Sequence, residues 1–235
     1  MSEREFVEER TVFDAGELRL EGVLAYPETS VPRAAFVVLA PHPHMGGTMD
    51  NNVVRHLARR GAAAGALSLR FNYRGVGASE IRLRPGESVF DHFAEMEARQ
   101  RYEELLPDAA GAFHALGRWL PGARRVIIGY SLGAVIAGML AAAADPACVI
   151  GVSPPVRRVP LAAFRACAAP KCFFFGEDDF AFALESFLDE YAALQPPKTY
   201  RKLDGCDHFF RREEERLFQA VADCLFAGCA ESRPS

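Results

Sequence analysis

The stretch Arg125-Val126-Ile127-Ile128-Gly129-Tyr130-Ser131-Leu132-Gly133, continued by Ala134-Val135-Ile136-Ala137-Gly138, constrains this chain more than any other. β-Branched residues run into Gly-Tyr-Ser-Leu-Gly, and an Ala/Leu/Met-rich run of helical character leaves it. Strand, sharp turn and helix in that order can hold a serine in a strained backbone conformation. The residues two before and two after the serine must then be too small to collide. Gly129 and Gly133 meet that demand. Such a turn lifts the Ser131 hydroxyl above the strand ends, and the first N–H groups of the helix face any anion formed there. A serine that merely caps a helix is the plainer reading, and the strand and helix on either side count against it.

The 235 residues suit one α/β domain with a substantial core, half of them being apolar and a quarter charged. A net charge of −4 gives no basic footprint, so nucleic acid is not expected as a partner. Met1 to Arg10 is polar and unlike a signal peptide, and the longest apolar stretch, Ala134 to Ala144, is too short to span a bilayer. The six cysteines (Cys148, Cys167, Cys172, Cys206, Cys224, Cys229) form no C-x-x-C pair. The expectation is reduced thiols and a cytoplasmic protein.

Phe6 to Asp14 and Leu18 to Tyr26 predict an antiparallel pair of strands turning at Ala15-Gly16. Ala34 to Ala40 and Ala64 to Phe71 are continuous apolar runs of the kind buried on both faces of a sheet, with helical spacing over Asn51 to Arg60 between them. The glycines of Asn72 to Ser79 faintly suggest a phosphate loop. No lysine or third glycine stands where one is needed, so a tight turn is expected. Within the charged segment Glu80 to Leu106, Phe90 to Leu105 reads as a solvated helix or surface arm. Asp108 to Leu120 predicts a helix, Ala147 to Val152 and Lys171 to Phe175 strands, Ala181 to Leu194 a helix, and Thr199 to Leu203 a strand. Phe209 to Phe226 closes the chain as an amphipathic helix before a polar tail. The alternation implies a mostly parallel sheet covered by helices on both faces.

A serine hydroxyl needs a base to take its proton, and the base needs a carboxylate to orient it. Of the six histidines, His56 and His114 fall in helical patterns, His92 in the charged segment, and His42 and His44 in a proline-rich loop. His208 follows a late strand, and loops at the carboxyl ends of parallel strands share one face of the sheet, so His208 is the expected base. The acid should follow an intervening strand. Glu177, Asp178 and Asp179 qualify, with spacing favouring Asp179 and then Asp178. An oxyanion needs two backbone donors, expected to be the N–H groups of Leu132 and of His44. A metal on His42 and His44 lacks a third ligand nearby, and neither a metal nor a cofactor is expected. Phe180, Phe182, Phe209 and Phe210 flank the acid and base and suit either an acyl pocket or the core.

These residues resemble the α/β-hydrolase superfamily, and more narrowly the small bacterial serine hydrolases whose third-strand loop reads H-P-H-P-x-x-G-G and whose fourth strand ends R-F-N-[FY]-R-G-V-G-x-S. Here those segments are Pro41-His42-Pro43-His44-Met45-Gly46-Gly47 and Arg70-Phe71-Asn72-Tyr73-Arg74-Gly75-Val76-Gly77-Ala78-Ser79. Gly-Tyr-Ser-Leu-Gly, Gly176-Glu177-Asp178-Asp179 and Asp207-His208-Phe209-Phe210 follow in the same order, so the likeness runs from about Leu18 to Phe226. It implies an α/β-hydrolase fold with a sheet of about eight strands, carrying a charged helical insertion at about 80–106. It also implies a nucleophilic Ser131 with Asp179 as acid, His208 as base and an oxyanion hole at His44 and Leu132. Its substrate would be a small-molecule acyl ester or thioester. Acyl transfer by the same residues and a non-catalytic scaffold are the rival readings, and homodimerisation is left open. Two departures stand out: Ala40 replaces the first histidine of the family loop, and the segment Glu80 to Leu106 is longer than the expected glycine-rich turn. Dienelactone hydrolases share the fold but carry a nucleophilic cysteine, against which Ser131 argues.

Overall fold

A computed structural model describes residues 5–227; Cys229 and the polar tail lie outside them. Two antiparallel strands, β1 (Phe6–Ala15) and β2 (Leu18–Pro27), form a hairpin whose turn uses the left-handed Gly16, with Phe13 opposite Leu20. Then come β3 (Ala35–Leu39), α1 (Asn52–Ala63), β4 (Leu67–Phe71), α2 (Val89–Ala98) and α3 (Leu106–Trp119). The second half runs β5 (Arg125–Tyr130), α4 (Leu132–Ala144), β6 (Cys148–Val152), β7 (Lys171–Asp178), α5 (Leu184–Ala192), β8 (Lys198–Asp207) and α6 (Glu214–Ala227).

The eight strands make one sheet in the order β1-β2-β4-β3-β5-β6-β7-β8. β1 and β2 pair antiparallel, as do β2 and β4, and every ladder from β4 to β8 is parallel. β3, β4 and β6 are buried at every position, as strands with helices on both sides must be. α1 packs with α6 and α3 with α4, forming the two helical layers. No helix among the described residues is long and apolar enough to cross a membrane.

Three local expectations are corrected. β7 extends to Asp178 and β8 to Asp207, because the two residues pair across a bulge beyond Gly176. α6 starts at Glu214, since Phe210 and Arg212 adopt positive φ and break any helix begun at Phe209. Of the two readings for Phe90 to Leu105, a helix does form (α2), but it is not solvated all round. Ser88 and Asp91 close a capping box at the start of α2, whose Phe93 and Met96 are buried, and Tyr102 and Leu105 are buried in the 3₁₀ turn that follows. Among the described residues, Cys148, Cys167, Cys206 and Cys224 are free and buried, in keeping with the expected thiols.

Candidate active site

Ser131 stands between β5 and α4 with φ 56° and ψ −120°, a conformation that L residues rarely hold. A Cβ on Gly129 would overlap the carbonyl of Gly133, and one on Gly133 would overlap the carbonyls of Leu39 and Ala40. The serine N–H donates to the Val152 carbonyl at 2.9 Å, tying the turn to β6. The hydroxyl makes no capping bond to α4.

It is instead 3.2 Å from Nε2 of His208. Nδ1 of the same ring is 2.8 Å from Oδ1 of Asp179. A carboxylate accepts from Nδ1–H, which leaves Nε2 bare and able to accept the serine proton. His208 and Asp179 are both buried, at 6% exposure each. Asp179 Oδ1 also accepts the Ala181 N–H at 2.9 Å, and its Oδ2 is buried without a hydrogen bond. The other two carboxylates left open by the sequence point elsewhere: Asp178 is exposed in the β7–β8 ladder, and Glu177 pairs with Lys202 at 2.7 Å.

The four phenylalanines divide evenly. Phe182 and Phe210 are core residues, whereas Phe180 (64% exposed) and Phe209 (39%) stand beside the His208 ring at centroid distances of 5.0 and 5.6 Å. On the β3 side, His44 stacks on the exposed Phe90 of α2 at 4.6 Å. The His44 N–H, expected as an oxyanion donor, is already engaged with Nδ1 of His42 at 3.1 Å. The Asn72–Ser79 loop is the expected tight turn: the Glu21 carboxylate fills it, accepting from Asn72 Nδ2 and the Ala78 N–H, both at 2.7 Å. His56 pairs with Glu215, and His114 is exposed.

Three contributors escaped the sequence reading. The buried Tyr130 hydroxyl donates to the His208 carbonyl at 2.8 Å, joining the strand that ends at Ser131 to the loop that carries His208. Burial raises the Tyr130 pKa, with Asp179 and Asp207 adding to it, so the phenol stays a donor. Asn52, at the start of α1, donates to the Phe209 carbonyl at 2.9 Å. Glu97 of α2 approaches His42 from the other side. None carries a local signal, because each acts through a partner more than 50 residues away.

No family model matches the chain. It is 29% identical over 224 residues to the uncharacterized protein RP471 of Rickettsia prowazekii, covering 91% of this chain and 87% of that one. Among solved structures it is similar to XC6422 of Xanthomonas campestris, described as an α/β serine hydrolase without lid. There the TM-score is 0.77 at 22% identity, over 97% of both chains. An α/β serine hydrolase homologue from Coxiella burnetii aligns with TM-score 0.70 at 26% identity, over 94% of this chain and 97% of that one. With its eight-stranded, mostly parallel sheet and these neighbours, the chain has the α/β-hydrolase fold.

Proposed function

We propose that the protein is a serine hydrolase cleaving a carboxylic ester or thioester through an acyl-Ser131 intermediate. One observation carries the reading: hydroxyl, imidazole and carboxylate stand in line at 3.2 and 2.8 Å, with the serine on a strained turn. His208 Nε2 takes the hydroxyl proton as Oγ bonds to the acyl carbon, and Asp179 stabilises the imidazolium formed. The tetrahedral intermediate collapses as the leaving oxygen or sulfur departs with that proton. Water then gives a proton to Nε2, attacks the acyl carbon and releases the carboxylic acid and the serine.

The Leu132 N–H at the start of α4 is one oxyanion donor, and the turn after β3 supplies the other. The His44 N–H can serve only by leaving His42, whereas the His42 N–H is nearer in sequence to Ala40, whose carbonyl abuts Gly133. The exposed faces of Phe180, Phe209 and Phe90 offer an apolar surface for an acyl group beside the serine. No cofactor enters this chemistry.

The test is fluorophosphonate labelling together with turnover of p-nitrophenyl esters and acyl-thioesters of graded chain length. Wild-type protein is expected to label and to turn over at least one series, and Ser131→Ala to do neither. Equal labelling of the two proteins would remove Ser131 as nucleophile, and a wild type inert in every assay would leave the fold as a scaffold.

A further inference from the structure

The turn after β3 has few N–H groups to offer. Pro41 and Pro43 carry none, and those of Met45 and Gly47 go to the His42 carbonyl at 2.8 and 3.1 Å. The His44 N–H goes to Nδ1 of the His42 ring. The imidazole therefore closes the turn on itself, in the manner of an Asx turn.

A ring nitrogen that accepts must be bare, so the proton of neutral His42 is on Nε2. Nε2 faces Oε2 of Glu97 at 3.3 Å, close but not aligned as a full hydrogen bond. Glu97 is held in its turn by the Tyr102 hydroxyl at 2.8 Å and by Arg158 at 2.6 Å. The His42 ring is 4% exposed, with Phe93 and Tyr102 edge-on to it. Desolvation lowers its pKa, with His44 and Arg158 acting in the same sense and Glu97 opposing them, so the ring is kept neutral. This turn is beside the serine, because the carbonyls of Leu39 and Ala40 press on Gly133, two residues past the nucleophile.

We propose that His42 is a positioning residue for the oxyanion: its imidazole, oriented by Glu97, locks the 42–44 backbone so that the turn offers an N–H toward Ser131. This role rests on the acyl-serine reading above. The segment 80–106 then has a task, since α2 brings the carboxylate that selects the tautomer. Arg158, from the loop after β6, holds that carboxylate from the far side.

Two substitutions separate the role from mere packing. His42→Phe keeps the volume and removes the acceptor, whereas the Oδ1 of His42→Asn can still accept an N–H two residues on. On a p-nitrophenyl ester, His42→Phe is expected to lower kcat about ten- to a hundredfold, less than the roughly hundred- to thousandfold of a removed oxyanion donor because the donor is misplaced, not deleted, with KM within about threefold. His42→Asn should recover most of that loss, and Glu97→Gln should lower kcat by a few-fold. An unchanged kcat in His42→Phe, or an Asn variant no better than Phe, would overturn the role while leaving the nucleophile intact. A wild type that neither labels nor turns over removes the role together with the serine reading. Should the variants fold poorly, ¹⁵N imidazole NMR of the wild type decides: a bare Nδ1 and protonated Nε2 at His42 are expected, and the opposite tautomer at pH 8 overturns the proposal.

Discussion

The two sides of the candidate site are built by different physics. On one side Ser131, Asp179 and His208 stand on turns fixed by backbone sterics and buried hydrogen bonds: Gly129 and Gly133 admit no side chain, and Tyr130 clamps the His208 carbonyl. On the other side the turn after β3 is held by side chains reaching from distant segments, through Glu97, Tyr102 and Arg158. The first side cannot relax without unfolding its strands. The second depends on protonation and on charged partners that remain partly exposed. A single site can thus join a rigid serine turn to an adjustable opposite wall.

The sharpest way to break the first side is to change the carboxylate. Asp179→Asn keeps the shape but cannot hold His208 in the tautomer that accepts the serine proton. It is expected to lower kcat by about 10³- to 10⁴-fold, read as p-nitrophenyl ester turnover. Asp178→Asn, one residue earlier and exposed, should change kcat by about twofold or less, and comparable losses in the two variants would reject the assignment of Asp179.

A smaller but still large effect is expected from Gly133→Ala, whose methyl must enter the carbonyls of Leu39 and Ala40. Those carbonyls close β3, which is hydrogen-bonded to a strand on either flank, so the cost should reach the upper end of overpacking, about 3 kcal/mol. That corresponds to a fall in Tm of roughly 6–12 °C for a domain of this size, measured by thermal unfolding. A Tm within about 2 °C of wild type would mean that the turn is not sterically closed.

The smallest effect tests the second side. The folded-state pKa of His42 lies below its ordinary 6.5, so on acidification the unfolded chain takes up a proton before the folded chain does. Stability is therefore lost as pH falls below about 6.5, and the loss levels off below the folded-state value. Between pH 7.5 and 5.5 the wild type should lose a few degrees of Tm at most beyond what His42→Asn loses. Glu97, His44, Arg158 and Tyr102 are the groups facing the ring, and parallel melting curves for the two proteins would show that burial does not hold His42 neutral.

This contrast also marks what the sequence could disclose. The rigid side was legible because its determinants are local: apolar runs of strand length, glycines flanking a serine, an acid and a histidine after successive strands. Even there, Asp178 and Asp179 were separable only once β7 was seen to carry Asp178 into the ladder opposite Asp207. The adjustable side is hidden from the sequence because its signal is tertiary. Charges dominate residues 80–106, and the spacing of Phe93, Met96, Tyr102 and Leu105 did not announce a face that buries itself over the β3 turn. The engaged His44 N–H was equally hidden, since nothing in Pro-His-Pro-His tells where a ring nitrogen will turn.

The sheet order has a further consequence for how the molecule fails. β5, which leads into Ser131, has ladders on both flanks, whereas among the described residues β8, which leads into His208, is the terminal strand with a neighbour on one flank only. Opening that begins at this margin detaches the imidazole while the hydroxyl's own strand is still zipped. The chain would then fall silent as a catalyst well before it comes apart as a fold, and the Tyr130 phenol, bonded to the His208 carbonyl, is the rivet that delays the separation.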